Sequence, residues 1–403
     1  MFSKHKGFTL IELLLVIAIL AVLASVTVIA INPVDLLKRT RDSQRITELK
    51  SLNDALNIYE TLTMGSTIGS SSIVYLSLPD TNSNCSSYSL PPLPTGYSYH
   101  CVISDNLTKI NGSGWIPVDF TSLGTASPLT KLPIDPINNN QYYYTYTTGG
   151  SFMLTSLMES TNNTVSKQAI NDGGLMPGVF ETGTDLKLGP FTRDNGLVGY
   201  WSFDETSGTL YDYSGYNNNG TSYGGVTYGV QGKVGNALSF DGSDDYIDCG
   251  SDESLAFGTG NFTIGLWIKA NGTSQYNAIL DKGQPLDSSK SGYQLFLTNG
   301  LLRYNISDGA GHWTELVVGG SPDMRDNIWH HFVWVYNGTN NKFYLDKTLL
   351  DTDSWTYGSG NPTANFLLAT SWITPFSGLI DEVRIYNRVL LEDEVKAIYE
   401  STK

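Results

Sequence analysis

The sequence predicts an α+β protein in two parts: a long N-terminal α-helix carrying a small α/β body, then a separate all-β sandwich. Three observations predict it. Leu13 to Ile31 is a run of 19 residues without a charge, and its apolar spacing resumes beyond Asn32-Pro33. Residues 197–400 alternate strand-like runs with Gly, Asn and Asp turns and hold seven of the eight tryptophans. Between the two parts, residues 173–196 are Gly-, Pro- and Thr-rich without periodicity, the composition of a linker.

The N-terminal run comes first. At about 1.5 Å rise per residue, and with the turn from Phe8 to Glu12 added, it covers roughly the hydrocarbon thickness of a bilayer. One carboxylate, Glu12, sits near its start, and an intramembrane acid costs a few kcal/mol unless a partner compensates it. Cleavage between Gly7 and Phe8 would supply that partner, because the new α-amino group lies four residues before Glu12 on the same helical face. The amine could equally pair with Glu12 of a neighbouring chain.

The stretch Lys4-His5-Lys6-Gly7-Phe8-Thr9-Leu10-Ile11-Glu12 resembles the type IV prepilin and pseudopilin family. The resemblance implies that a prepilin peptidase cuts after Gly7 and methylates Phe8, and that Glu12 guides subunit packing in a helical fibre. Two plainer readings compete with it. A secretory signal could be cleaved after Val22-Leu23-Ala24, although a charge within the apolar run is unusual and the run continues past that site. An uncleaved single-pass anchor would keep Lys4 and Lys6 in the cytoplasm.

Pro33 removes a backbone donor and is expected to kink the helix rather than stop it. Leu36, Leu37, Ile46, Leu49, Leu52, Leu56 and Tyr59 then recur at spacings near three or four, opposite Lys38, Arg39, Arg41, Arg45 and Lys50. One helix over 8–62 follows, after a leader of residues 1–7. Its second half packs on a globular body over 63–172. In that body Tyr142–Tyr146 and Ser151–Thr155 read as a hairpin closed by Thr148-Gly149-Gly150. The linker at 173–196 leads to the sandwich, 197–403.

Charge is uneven. Residues 1–60 carry seven Lys/Arg against six Asp/Glu, so the remainder carries 17 against 33, a net −16. Such an acidic exterior, rich in Asn, Ser, Thr, Gly and Tyr, argues against nucleic acid as a partner, since phosphate contacts need clustered basic side chains. It suits an extracellular surface. In an oxidising compartment Cys85 and Cys101, close in sequence, are candidates for a disulfide, which leaves Cys249 over and buried.

The stretches LVGYWSFDE, NALSFDGSDDYIDCG, FTIGLWIKA, IWHHFVWVYNGTNNKFYLD and FSGLIDEVRIYNRVLLEDEVKAIY resemble, in that order, the concanavalin A-like jelly roll of laminin-G-type lectin domains. Asn261–Ala270 is a strand with Phe262, Ile264, Leu266 and Ile268 on one face. Trp329–Tyr336 is another, and one of His330 and His331 on it packs in the core. Glu392-Asp393-Glu394 opens an amphipathic C-terminal helix as first-turn charge. Related domains often hold one Ca²⁺, and the pairing of first and last strands would bring Asp204 and Glu205 near Asp381 and Glu382, with Asp204 and Asp381 as ligands. Arg384 is the rival neutraliser. Asp241, Asp244, Asp245 and Asp248 form a second candidate site, more simply read as turn formers. In the body, a calcium ion held by some pseudopilins suggests Asp119, Asp135 and Asp172, although turn carboxylates usually cap their own backbone.

Trp313, Trp355 and Trp372 lie in polar segments and are candidate rings for stacking on a sugar, with plugging the end of the sandwich as the plainer role. There is no H-E-x-x-H, G-x-S-x-G, P-loop or glycine fingerprint, and the E-x-D-x-x-E spacing of sandwich-fold glycanases is absent. The expectation is a non-enzymatic, pilin-like and minor subunit, single-pass in the inner membrane before assembly. It would then sit in a fibre with other pilin subunits, its C-terminal domain outside the cell for adhesion to a glycan or protein ligand. A pseudopilin of a type II secretion or DNA-uptake system is the near alternative, and a membrane-anchored glycan-active enzyme the distant one.

Overall fold

The computed structural model describes residues 10–19 and 33–403, except 64, 125–126, 161–165, 192–193, 195, 273, 284–287 and 370–374. Gly7, Phe8 and residues 20–32 lie outside the described residues, while Glu12 lies within the helical stretch 10–19. Among the described residues no helix is long and apolar enough to cross a membrane.

Helix α1 (Pro33–Leu62) buries Ile46, Leu49, Leu52, Leu56 and Tyr59, the positions its spacing singles out. Leu36 and Leu37, expected on the same face, are exposed because the body packs only against the later turns. The larger departure is Arg45. Placed by the pattern on the polar face, it has no exposed side-chain surface at all. Its Nε and Nη2 donate to Asp135 at 2.7 and 2.9 Å, and Nη1 donates to Asp42 at 2.8 Å and Glu159 at 2.5 Å. Arg41 adds a second cation to Glu159, its Nε donating at 2.7 Å. Burial raises the Glu159 carboxyl and the two guanidiniums outweigh it, so the net shift is downward.

The body's sheet comprises β1 (Ile73–Pro79), β2 (Ser98–Val102), β3 (Tyr144–Thr148), β4 (Phe152–Leu157) and β5 (Val179–Gly183), in the order β2-β1-β3-β4-β5. β3 and β4 are the expected hairpin, with Thr148 opposite Phe152 and Gly150 at φ +92° in the turn. Cys85 and Cys101 are bridged, with their Cα atoms 5.3 Å apart. The stretch read as a linker, 173–196, is not one. It contains β5, paired along its length with β4, and buries Leu175, Met176 and Phe191. Its glycines and prolines mark tight turns between buried residues rather than a free tether.

The second domain contains β6 (Leu197–Trp201), β7 (Thr221–Tyr223), β8 (Thr227–Gln231), β9 (Asn236–Asp241), β10 (Tyr246–Asp248), β11 (Phe262–Ala270), β12 (Tyr276–Lys282) and β13 (Ser291–Thr298). β14 (Leu301–Asp308), β15 (Trp313–Val317), β16 (His330–Tyr336), β17 (Asn340–Leu345), β18 (Thr348–Ser354), β19 (Phe366–Leu368) and β20 (Ser377–Tyr386) follow. Two sheets result. One runs β15-β14-β13-β12-β19-β10-β7; the other runs β18-β17-β16-β11-β20-β9-β8, with β6 also on β20. Phe262, Ile264, Leu266 and Ile268 meet Leu295, Tyr304, Trp334 and Phe366 in the core between them.

The outer face of the second sheet is covered over its central strands. Helix α3 (Glu392–Thr402), which follows the short α2 (Ser166–Ile170), lies on part of it, with Tyr399 stacked on Trp267 at 5.4 Å and Trp267 Nε1 donating to Thr402 Oγ1 at 2.9 Å. Glu394, expected as solvated charge, is buried because it accepts both Arg388 Nη1 and Nη2 at 2.9 Å and the Leu391 N–H at 2.7 Å. Another part of the face meets the first domain. Val333, Val335, Tyr344 and Tyr386 pack in one apolar cluster with Met153, Leu175, Met176 and Val179. Polar contacts fix the angle: Arg384 Nη1 donates to the Leu175 carbonyl at 2.7 Å, and the Tyr386 hydroxyl donates to Asp194 at 2.8 Å.

Replacing Arg45 by Met leaves the buried carboxylates of Asp42 and Asp135 without their cation and Glu159 with Arg41 alone, and a loss of about 3–5 kcal/mol in the stability of the first domain is expected. Arg45→Lys recovers little of it, since one ammonium cannot reproduce the fork on Asp135. Urea unfolding of the two variants against the wild type measures both; an unshifted midpoint for Arg45→Met would remove the ion cluster from the stability of this fold.

Candidate functional site

The outer face of the seven-stranded sheet carries a row of polar side chains and is open at its β15 end. Side chains alternate along strands, so the register decides which residues share it. Asp281 lies opposite Gln294, Gln294 opposite Asn305 and Asn305 opposite Glu315, one residue from each of four adjacent strands. On the other side Asp281 lies opposite Leu367, and Leu367 opposite Asp248. The polar members are linked: Gln294 Nε2 donates to Asp281 Oδ2 at 3.0 Å, and Asn305 Nδ2 donates to Gln294 Oε1 at 3.0 Å.

The row passes from a closed end to an open one. Asp281, Gln294 and Asn305 are at most 2% exposed, whereas the side chains of Arg303 and Glu315, joined at 2.7 Å, retain 30% and 33%. Asn305 Oδ1 and Arg303 Nε are buried without a hydrogen-bond partner, which is costly unless a ligand or water supplies one. Apolar surface flanks the open end: Trp313 is 39% exposed at the start of β15, and Val317 and Tyr276 are exposed on the same face. Further along, Tyr223 and Tyr246 stack at 4.7 Å. Side-chain amides, an Arg–Glu pair and flat rings on one sheet face are the groups that hydrogen-bond hydroxyls and cover the apolar side of a sugar ring.

Of the three tryptophans expected to stack, Trp313 is on this face. Trp355 is not available: it is 7% exposed, lies in the inter-sheet core and donates Nε1 to the Gly358 carbonyl at 2.7 Å. Its polar neighbours are the turn that closes over it. Trp372 lies outside the described residues. Asp281, Gln294, Arg303 and Asn305 carried a signal that sequence reading passed over, polar residues at single positions within otherwise apolar strands.

Asp204 and Asp381, the expected calcium ligands, do not make an open acidic site. β6 pairs with β20 as expected, but Asp381 is fully buried and its Oδ2 accepts the backbone N–H groups of Lys233 at 2.8 Å and Val234 at 3.0 Å. Asp204 Oδ1 accepts the Asn236 N–H at 2.8 Å. Glu382 is held by Arg384 at 2.8 Å and by the Tyr200 hydroxyl at 3.0 Å, the salt-bridge alternative. Burial, then the charge of Glu382, pushes the Asp381 carboxyl up to about 8. Among the described residues, the three carboxylates within 4.8 Å of one another are Asp241, Asp244 and Asp245. Asp245 is 2% exposed; its Oδ2 accepts the Asp241 N–H at 2.9 Å and its Oδ1 has no hydrogen-bond partner.

In the first domain the suggested ligands are all in use by the protein itself. Asp135 holds Arg45, Asp119 accepts the Thr121 N–H at 2.9 Å, and Asp172 accepts those of Gly174 and Glu181 at 2.8 and 2.7 Å. Of the two histidines, His331 is buried against Trp267 and held neutral, its pKa lowered to about 3 by burial. His330 lies between Asp346 and Asp326, whose hydrogen bonds raise it to about 9.

Residues 241–396 match the family described as the concanavalin A-like lectin/glucanases superfamily, and residues 2–28 match the prokaryotic N-terminal methylation motif. The chain thus joins an N-methylation motif of the type IV prepilins to a concanavalin A-like domain. No curated protein matches it. Among solved structures, the binding domain of Paraclostridial Mosquitocidal Protein 1 is 20% identical, with a TM-score of 0.43 over 51% of this chain and 52% of that one. This chain therefore spans about half the length of that structure. Domain 4 of AbnA, a GH43 extracellular arabinanase from Geobacillus stearothermophilus, in complex with arabinotriose, is 21% identical, with a TM-score of 0.41 over 50% of this chain and 98% of that one. The receptor binding domain of a botulinum neurotoxin C/D mosaic serotype is 16% identical, with a TM-score of 0.42 over 51% of each chain.

The Asp381 carboxyl makes stability depend on pH. Its folded pKa of about 8 stands above the unfolded value of 3.8, so the folded chain holds a proton that the unfolded chain has released. That contribution is fully present below about pH 4 and is lost as pH rises towards about 8. Asp381→Asn is therefore expected to melt higher than the wild type at pH 8.5 and to show a flatter fall between pH 5 and pH 8 in calorimetry.

Proposed function

We propose that this chain is a minor type IV pilin-like subunit that carries a lectin-like sandwich on the cell surface and binds a glycan through the outer face of its seven-stranded sheet. The observation that carries the reading is the joining of the two modules: a prepilin methylation motif at residues 2–28 and, on the same chain, a concanavalin A-like domain whose seven-stranded sheet carries a hydrogen-bonded polar row, buried at one end, that runs out to the exposed Trp313, Arg303 and Glu315.

The motif implies export, membrane anchoring during assembly and pilin subunits as partners. In this reading the peptidase cuts between Gly7 and Phe8, the anchor crosses the inner membrane once, and Glu12 sets register against the Phe8 amine of a neighbour. The fibre then presents both globular domains outside the cell. We take the sandwich to bind rather than to cleave.

A Ca²⁺ ion in the sandwich belongs to the same proposal, with Asp241, Asp244 and Asp245 as its carboxylate ligands in place of Asp204 and Asp381. The buried Asp245 oxygen without a partner supports the assignment.

Trp313→Ala on the whole cell is expected to lower adhesion to a glycan-coated surface at least tenfold with fibre number unchanged, because the largest ring on the open rim is removed. Electron microscopy and an adhesion count decide it, and unchanged adhesion would end the lectin reading of this face. Millimolar Ca²⁺ is expected to raise the melting temperature of the full-length chain over that in chelator, and Asp245→Asn to abolish the difference; identical wild-type curves would refute the ion.

A further inference from the structure

The docking of the two domains leaves a cleft between them, separate from the sandwich face, with a volume of about 630 Å³. That lies within the range of small-ligand sites, which occur preferentially at domain interfaces. We propose that this interdomain cleft is a second binding site, for a short uncharged oligosaccharide, with Tyr142 and Tyr216 as stacking rings and Asp194 as the polar anchor of its floor.

Asp194 is the observation that points to a ligand. It is 4% exposed; its Oδ2 accepts the Tyr386 hydroxyl at 2.8 Å, while its Oδ1 has no hydrogen-bond partner and stands 3.9 Å from Arg388 Nη2. A buried carboxylate oxygen left in this state favours a donor arriving from the cleft. The walls are built rather than incidental. Tyr142 is backed by the Arg45 guanidinium at 5.0 Å, and Asn139 Oδ1 fixes its loop by accepting the N–H groups of Gln141 at 3.0 Å and Tyr142 at 2.9 Å. Opposite, Pro91 is pinned where its carbonyl accepts the Tyr99 hydroxyl at 2.9 Å, and Tyr216 keeps 44% of its surface exposed.

Charge selects the class of ligand. Among the described residues that line the cleft none is basic and Asp194 is the one acid, so the lining offers a sulfated, phosphorylated or sialylated compound no cation to pair with. The remaining polar lining consists of hydroxyls, carbonyls and side-chain amides such as Asn140, which exchange hydrogen bonds with sugar hydroxyls. Burial pushes the Asp194 carboxyl up to about 7, which lets it donate as well as accept near neutrality and disfavours a fixed ion pair with a cation.

The test uses the full-length chain in detergent micelles, titrated calorimetrically with neutral di- and trisaccharides of glucose, galactose and N-acetylglucosamine. Trp313→Ala serves as the background, so that the sandwich face does not contribute. Saccharide binding that persists in this background and weakens at least tenfold on adding Tyr216→Ala is the expected result, Tyr216 being exposed enough for the fold to survive its loss. No saccharide binding in Trp313→Ala overturns the proposal and leaves the sandwich-face reading standing if the wild type binds. Binding unaffected by Tyr216→Ala overturns it too, as does binding of spermidine in preference to every sugar.

Discussion

A buried guanidinium organises the first domain. Arg45 projects from α1 into a space enclosed by Asp42 of its own helix, Asp135 just before the β3–β4 hairpin and Glu159 just after it. One side chain therefore ties the helix to both ends of the hairpin. A charge in such a place is tolerable only when its donors are all taken by well-aligned acceptors, and removing either side of the arrangement strands the other. The pairing is a demand for registry: α1 cannot rotate or slide on the sheet without breaking several charge-assisted bonds at once.

From that registry the rest of the architecture follows. With α1 fixed on one side of the first sheet, β4 and β5 and the turns after them offer Met153, Leu175, Met176 and Val179 to the second domain. There Val333, Val335, Tyr344 and Tyr386 stand on the outer face of the eight-stranded sheet and are buried by the contact. Arg384 repeats the device of Arg45 at this boundary. It is buried, paired with Glu382, laid over Tyr200 at 4.3 Å and bonded to the Leu175 carbonyl. The two domains are held at a set angle by buried contacts, and that angle leaves one cleft open between them.

The polar row on the seven-stranded sheet obeys the same logic at lower charge. Asp281, Gln294 and Asn305 satisfy one another in sequence across three strands, which rigidifies the face, and the partners run out at Asn305 Oδ1 and Arg303 Nε. Unmet hydrogen-bonding capacity placed next to exposed rings suits recognition of a hydroxyl-rich surface.

Much of this was legible in the order of residues. The N-terminal motif, the later helix face at Ile46, Leu49, Leu52 and Leu56, the β3–β4 hairpin and the in-facing Phe262, Ile264, Leu266 and Ile268 all rest on short-range periodicity, which a linear sequence carries in full. What the tertiary structure alone decided is which polar residues are inside. Arg45 reads as part of a solvated helix face because its three partners are 3, 90 and 114 residues distant. Trp355 reads as a loop ring until the core closes around it. Residues 173–196 read as a tether because their burial comes from surfaces on both domains. Whether a charge, an amide or a ring meets water depends on what another part of the chain places opposite it, and that depends on register and docking, which no local pattern contains.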